Sequence, residues 1–270
     1  MPLFYTSELF DRNFNFTEAV YKRHLDRDLS RENRGFLDIQ NGRKVLESIS
    51  EVNLYGGLYG ASHEQKLKEA YDALNLLRLQ GRIVETISYG CGIAIDTNVL
   101  ISYLMSKNID LCLERMTLIE PSPVALNCGI EHIRGAMLDP KKTFAIRPYI
   151  KYLEQLTPDD LATTKPSTKL HVFSNILDIE QVNLEKLASL IAKTSSGENF
   201  FICVSPNSPG SYEGKERIDR FYTLLSQQLK LVDIDINNRS TQVNSYNHKR
   251  GRYEFFPVSR YHRIFHTHAA

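Results

Sequence analysis

The residues of this 270-residue chain best suited to chemistry fall in three short clusters. The first is Gly90-Cys91-Gly92, preceded by Ser88 and Tyr89. Two glycines one residue apart, between a strand-like run and a helical one, let a ligand approach the backbone closely. The helix that follows offers free N–H groups at its start. The cluster reads either as a nucleotide-binding loop or as a bare strand-to-helix turn. The third glycine of a dinucleotide fingerprint is absent, with Ala94 nearby, and no GKS or GKT argues for a P-loop ATPase. The second cluster is Glu120, at the end of another strand-like run. A carboxylate there accepts hydrogen bonds from both hydroxyls of a ribose, unless it is merely a surface acid beside Pro121. The third is Ser174-Asn175, with Asp178 close behind. The Asn175 carbonyl can orient a ligand or a substrate amine. Asp178 is a candidate acceptor or base, or an N-cap for the next helix.

Other residues have two readings each. Cys91 is a small filler rather than a nucleophile, because no histidine stands at a readable spacing. Tyr89 packs under the turn or meets a base. Tyr55, Tyr59 and His63 lie in a stretch containing Gly56, Gly57 and Gly60. They form either a mobile lid or an aromatic plug. His171, inside a strand, reads as a satisfied imidazole. Pro206 to Tyr212 is a substrate-contacting loop or an ordinary surface loop. In the tail, Lys249, Arg250, Arg252, Arg260 and Arg263 alternate with Phe and Tyr and face only Glu254. Such a mixture suits nucleic acid by charge and stacking, or an edge hairpin with its basic face in water. No dedicated metal site is expected, and His266-Thr267-His268 has no acidic or Cys partner at a recognised spacing.

These clusters need elements to position them. Phe16, Val20, His24 and Leu25 could share one face of an N-terminal helical segment. Lys44 to Val52 reads as a short helix and Leu54 to Gly60 as a flexible loop. Ser62 then reads as the N-cap of a helix carrying Leu67, Ala70, Tyr71, Leu74 and Leu77, which Gly81 stops. From residue 82 onward, strand and helix alternate. Strands are expected at 82–87, 116–119, 143–147, 170–173 and 200–204, and helices at 95–107, 122–134, 184–192 and 216–229. Residues 158–167 read as a polar loop. The tail offers a strand at 231–235, a polar loop, and aromatic segments at 253–256 and around 261–265. The alternation predicts an α/β fold, doubly wound and Rossmann-like, with a mostly parallel sheet. Residues 1–80 form its helical extension or lid, and 81–270 the sheet domain.

Composition narrows the class. Lys+Arg number 33 and Asp+Glu 32, with 42% hydrophobic residues, which suits a globular core and gives no net field for nucleic acid or membrane. No apolar run reaches membrane-spanning length, and the first residues do not read as a signal peptide. The four cysteines are scattered, so a reducing, cytoplasmic setting is expected. Phe and Tyr total 13 and 14 while Trp is absent.

Residues 82 to 265 resemble the class I methyltransferases that use S-adenosylmethionine. Ile87-Ser-Tyr-Gly-Cys-Gly-Ile-Ala94 resembles their first motif, Leu118-Ile-Glu120 the second, and His171 to Asp178 the segment after the fourth strand. The resemblance implies a seven-stranded sheet whose last strand is antiparallel. It implies S-adenosylmethionine as cofactor, held by Ser88, Gly90, Cys91, Gly92, Glu120, Ser174 and Asn175, with Asn175 and Asp178 beside the transferred methyl. The family usually has an acid at the position of Ser88 and a third glycine at that of Ala94. No acid on the third strand is well placed for the adenine amine; Asp139 and Glu154 both fit poorly. The implied activity is methyl transfer to a small-molecule or nucleic-acid acceptor. Altered Ser88 and Ala94 motivate an alternative, a catalytically degenerate fold serving as a cofactor-binding interaction or regulatory module. A protein partner or a homo-oligomer is open. A nicotinamide-dependent oxidoreductase would need the complete glycine fingerprint.

Overall fold

A computed structural model describes residues 39–136, 144–163, 167–207, 214–247, 250 and 252–269. Phe16, Val20, His24, Leu25, Asp139, Lys249 and most of the loop after Pro206 lie outside the described residues. Seven strands form one sheet: β1 (Ile83–Tyr89), β2 (Cys112–Ile119), β3 (Ala145–Tyr149), β4 (Thr168–Ser174), β5 (Gly197–Pro206), β6 (Val232–Asn247) and β7 (Arg252–Ala269). Their order is β3-β2-β1-β4-β5-β7-β6. Strands β1 to β5 pair in parallel, while β7 runs antiparallel to both β5 and β6. The chain leaves β1 for β2 on one side and later returns to β4 on the other. The carboxyl ends of β1 and β4 therefore flank the switch point at which such sheets open a crevice.

Helices cover both faces. On one lie α1 (Ile49–Leu74), α2 (Ile95–Ser106) and α3 (Pro123–Ala136). Leu67, Tyr71 and Leu74 of α1 share a single apolar core with Val84, Leu170 and Ile202 of the sheet. After β3 comes the short α4 (Pro158–Leu161), and the other face carries α5 (Leu184–Thr194) and α6 (Gly214–Ser226). Their Leu187, Ile191, Ile218 and Phe221 pack on Ile87, Phe173 and Phe201. Among the described residues, no helix is long and apolar enough to cross a membrane.

Three expectations need correction. The flexible loop at Leu54–Gly60 and the N-cap at Ser62 are replaced by one continuous helix, α1, of 26 residues. Its N-cap is Ser48, whose Oγ accepts from the Glu51 N–H at 3.2 Å, so the short helix expected at Lys44–Val52 is its approach and first turn. Ser62 bonds back to the Tyr59 carbonyl instead. A helical glycine costs about 1 kcal/mol relative to alanine. Here Gly56, Gly57 and Gly60 are all buried, and the packing of so long a helix outweighs that propensity. The helix ends at Asn75, which adopts the left-handed conformation that asparagine tolerates, not at Gly81.

Second, the polar segment after Thr157 contains a helical turn. Asp160 closes it by accepting the Thr157 N–H at 2.8 Å. Third, the tail is one long hairpin. Strand β6 continues through the expected polar loop, and β7 joins the two aromatic segments. Pairing of β5 with β7 ends at Pro206 and Arg260, whereas β6 and β7 stay paired out to Asn247 and Arg252. The outer half of the hairpin therefore projects past the carboxyl edge of the sheet, where Val243 and Val258 pack against Ala61 of α1.

Four of the Phe and Tyr residues form a cross-strand ladder with His171 on the α5/α6 face. Tyr89 stacks on Phe173 with ring centroids 4.3 Å apart, and Phe201 lies between His171 at 4.6 Å and Phe265 at 4.8 Å. Each pair is in register across adjacent strands. His171 is satisfied within the ladder, as its strand position suggested. Its Nδ1 lies 3.0 Å from the Tyr89 hydroxyl and its Nε2 3.1 Å from Asn199 Oδ1. Neutral imidazole fits both: Nε2–H donates to Asn199, and Nδ1 accepts from Tyr89.

Burial pushes the His171 pKa down from 6.5 to about 4. A depressed histidine stabilises the fold fully above the unfolded pKa, and that contribution is lost as pH falls from 6.5 towards 4. The loss is about 3 kcal/mol by linkage. Urea unfolding at pH 7 and pH 4 should show the native protein losing about that much more stability between the two than His171→Phe does. Equal losses would show that His171 titrates in the fold as it does in the unfolded chain, with no depression of its pKa.

Candidate functional site

The turn after β1 is built on three left-handed residues: Gly90 (φ +63°), Gly92 (φ +54°) and Ala94 (φ +55°). A Cβ on Gly90 would lie 2.5 Å from Cδ1 of Ile176, so glycine is required there by space as well as by φ. Ala94 adopts the conformation a third glycine would have taken, at a cost of roughly 1 kcal/mol. It is fully buried and touches Gly129 of α3, where a Cβ would come within 2.9 Å of it. The backbone is pinned from both sides. The Cys91 N–H donates to the Ile119 carbonyl at 3.0 Å, and the Ala94 N–H to that of Cys91 at 2.8 Å. Burial pushes the Cys91 thiol well up, away from the thiolate a nucleophile needs.

Two buried carboxylates flank this turn. Glu120 leaves β2 and accepts the Gly92 N–H on Oε2 and the Ser122 N–H on Oε1, both at 2.9 Å. Burial raises its pKa. The second is Asp96, in the first turn of α2. It accepts from the Ser88 hydroxyl through Oδ2 and from the Thr97 N–H at 2.7 Å through Oδ1. Burial raises its pKa from 3.8 to about 6. Ser88 therefore does not leave its neighbourhood without an acid, because α2 returns one to the same spot. Sequence reasoning missed Asp96. The available signal was an acid in the first turn of a helix opening directly from a glycine turn.

At the end of β4, Asn175 is also left-handed (φ +58°), and its N–H donates to the Val204 carbonyl at 2.8 Å. Its side-chain N–H donates to Ser174 Oγ at 3.0 Å. Asp178 accepts from Ser205 Oγ at 3.0 Å. It does not cap α5, whose N-cap is Asn183. Ser88, Gly90, Cys91, Gly92, Glu120, Ser174, Asn175 and Asp178 thus all stand at the carboxyl ends of β1, β2 and β4. Glu154 turns elsewhere, accepting from the Asn183 N–H.

Helix α1 closes the crevice from above. Tyr55, Tyr59, His63 and Lys66 follow one another at helical spacing along one stripe. Tyr55 and Tyr59 have centroids 5.3 Å apart, and His63 stacks on Tyr59 at 5.7 Å. The Tyr55 ring lies against Gly92. Burial first, then the charges of Glu120, Asp96 and Asp178, push its phenol far up. The aromatic residues do reach the ligand edge, but a helix rather than a mobile loop presents them. Further along the stripe, Lys66 is buried and donates from Nζ to Asn175 Oδ1 at 2.5 Å. Burial brings its pKa down to about 8, with Asp178 opposing and Arg260 reinforcing the shift. Sequence reasoning missed Lys66 as well. Its signal was a lysine on the same stripe as the aromatic residues.

The basic tail is largely matched by acids, some from elsewhere and one its own. Arg263 pairs with Asp219 at 3.0 Å and Asp233 at 2.8 Å, and Arg250 and Arg252 both reach Glu254. Arg260 is buried against Glu69 of α1.

No family model and no curated protein matches the chain. Solved structures align with much of its length at low identity. A precorrin-6y C5,15-methyltransferase from Geobacter metallireducens GS-15 is 12% identical over 73% of this chain and 87% of that one, with a TM-score of 0.47. A SAM-dependent methyltransferase from Leishmania major is 14% identical over 92% and 90%, with a TM-score of 0.45. The magnesium protoporphyrin IX methyltransferase of Synechocystis PCC 6803, solved with bound SAH, is 11% identical over 94% and 100%, with a TM-score of 0.42. At such identities the likeness is one of backbone. The strand order, with β7 inserted antiparallel between β5 and β6, makes this a Rossmann-like fold with a mostly parallel seven-stranded sheet.

Proposed function

We propose that this protein binds S-adenosylmethionine at the carboxyl ends of β1, β2 and β4 and transfers its methyl group to an acceptor there. One observation carries the reading: among the described residues, the hydrogen-bond donors to the buried carboxylates Asp96 and Glu120, which flank a left-handed glycine turn, are all neutral. A buried carboxylate without a cation is costly, which is why both pKa values rise. A ligand carrying a sulfonium and an ammonium relieves that cost. A dinucleotide bringing a pyrophosphate increases it, which disfavours the oxidoreductase alternative.

The cofactor supplies an electrophilic methyl group on a positively charged sulfur. The chain's own residues do the rest. Gly90 and Gly92 give close backbone approach, Asp96 offers a carboxylate to the cationic end, and Glu120 keeps lone pairs for ribose hydroxyls beyond its two backbone bonds. Asn175 and Asp178 face the acceptor side. Tyr55, Tyr59 and His63 of the α1 stripe exclude water and align the reactants, which is most of what such a transfer asks of a protein.

Calorimetry with S-adenosylmethionine, S-adenosylhomocysteine and NAD should show micromolar-range binding of the first two and none of the third. Silence with the first two would sink the reading; binding of both with no methyl transfer to any acceptor would favour the cofactor-binding module. Glu120→Ala should weaken binding about tenfold or more, the value of a lost pair of hydrogen bonds to a charged acceptor. Unchanged affinity would mean the sugar lies elsewhere.

A pH series tests Asp96 separately. Its carboxyl titrates near 6 when free, and a bound cation lowers that value. Binding therefore releases a proton, and affinity for S-adenosylmethionine should fall as pH drops through 6, by up to about tenfold per unit from this group. Asp96→Asn should bind more weakly at pH 7.5 and show a flatter profile.

A further inference from the structure

Lys66 has no role in the cofactor reading. It lies on α1, only 2% exposed, and its Nζ donates to Oδ1 of Asn175 at 2.5 Å. Asn175 is the first residue after β4 and is fixed in a left-handed conformation by the Val204 carbonyl. Its carbonyl thus holds an amine at the carboxyl edge of the sheet, on the side where an acceptor would stand, and the amine belongs to the protein itself. From this juxtaposition we propose that Lys66 is a self-modification site: its ε-amine accepts a methyl group from S-adenosylmethionine bound in the same crevice. The inference rests on the cofactor reading above and extends it to a first, internal acceptor of defined chemistry, a primary amine.

The surroundings favour the reactive form. Lys66 faces Asp178 from the β4 side, Arg260 and its partner Glu69 from the β7 side, and His63 one turn back on α1. Burial and the Arg260 charge outweigh Asp178 and bring its pKa to about 8. About a tenth of Lys66 is then neutral at pH 7, against about one part in three thousand for an ordinary lysine near 10.5. An N–H donated to Asn175 leaves the nitrogen lone pair free. In the transfer, the C–S bond breaks with its electrons going to sulfur and an N–C bond forms from the amine lone pair. The sulfonium becomes a neutral thioether, and the proton Lys66 lost beforehand goes to solvent. Burial also limits the source of the methyl group. A second protein cannot reach Lys66 in the folded chain, so the reaction is intramolecular.

The full chain, as isolated and after incubation with methyl-labelled S-adenosylmethionine, is digested and mapped by mass spectrometry, with calorimetry on the same sample. The expected result is a gain of about 14 Da on the Lys66 peptide. Its rate should not depend on protein concentration and should rise with pH until it levels off above about 8. Lys68, which is partly exposed two residues away, should stay unmodified. Asn175→Gly keeps the left-handed backbone but removes the carbonyl, and should slow labelling at least tenfold. A binding measurement adds a readout that needs no turnover. A cationic Lys66 beside the methyl repels the sulfonium but not the neutral thioether. The affinity ratio of S-adenosylmethionine to S-adenosylhomocysteine should therefore rise several-fold from pH 6.5 to 9 in the native chain, and stay flatter in Lys66→Met. Cofactor binding with an unmodified Lys66, or label on exposed lysines instead, overturns the inference and leaves the cofactor reading standing. Failure of both cofactor forms to bind overturns both.

Discussion

The bond from the Gly92 N–H to the Glu120 carboxylate ties the end of β2 to the turn after β1, and the crevice takes its form from that tie. Three left-handed residues in five make a turn with little intrinsic preference for one shape. The carboxylate fixes it by holding Gly92 on one oxygen and the Ser122 N–H, at the approach to α3, on the other. One side chain thereby sets the mutual position of two strand ends and two helix starts. The cost is a buried charge. Asp96 adds a second a few residues along, so the turn is both rigid and electrostatically strained towards a cation.

Helix α1 answers from the other side. Its C-terminal half is ordinary core, with Leu67, Tyr71 and Leu74 packed under α2 and on the sheet. Its N-terminal half overhangs the carboxyl edge and packs Val52, Leu54 and Leu58 against Ile93 and Ala125, at the approaches to α2 and α3. The outer part of the β6/β7 hairpin meets the same helix from the opposite flank. A single rigid element thus spans from the glycine turn to the end of β4 and carries an aromatic stripe that ends in a lysine. The three glycines along it permit close packing of a continuous helix rather than a hinge.

What was legible in the sequence follows from locality. Strand-helix alternation is a local hydrophobic signal, and it placed Gly90, Gly92, Glu120, Asn175 and Asp178 at strand ends because each directly follows a recognisable strand. The sheet class followed from the same pattern. Asp96 and Lys66 were not legible because their significance is non-local. Asp96 matters only because the turn folds α2 back beside Ser88, and Lys66 only because α1 passes over a residue 109 positions away in the chain. The continuity of α1 was hidden for the opposite reason. Local propensity at Gly56, Gly57 and Gly60 points to a loop, and only the tertiary contacts that bury them reverse it. The hairpin was read as fragments because the residues of β6 from Asn237 onward are mostly polar, and apart from Val243 it is antiparallel pairing with β7 that holds them in the strand.

A net charge of +1 conceals an ordered separation of charge along the crevice. Asp96 and Glu120 stand at the β1 and β2 ends; Lys66 and Arg260 stand towards β4, β5 and β7, with Asp178 and Glu69 set against them. Because these groups are buried, solvent screens them far less than it screens the paired arginines of the outer hairpin. In the proposed complex a molecule with a cationic centre would be drawn to the glycine turn and repelled from the charged lysine, which would set its direction before any specific contact forms. Lys66 can escape that repulsion only by giving up its proton. Burial favours that loss, so the side chain that would orient a cation while charged becomes, once neutral, the amine that the proposed transfer requires.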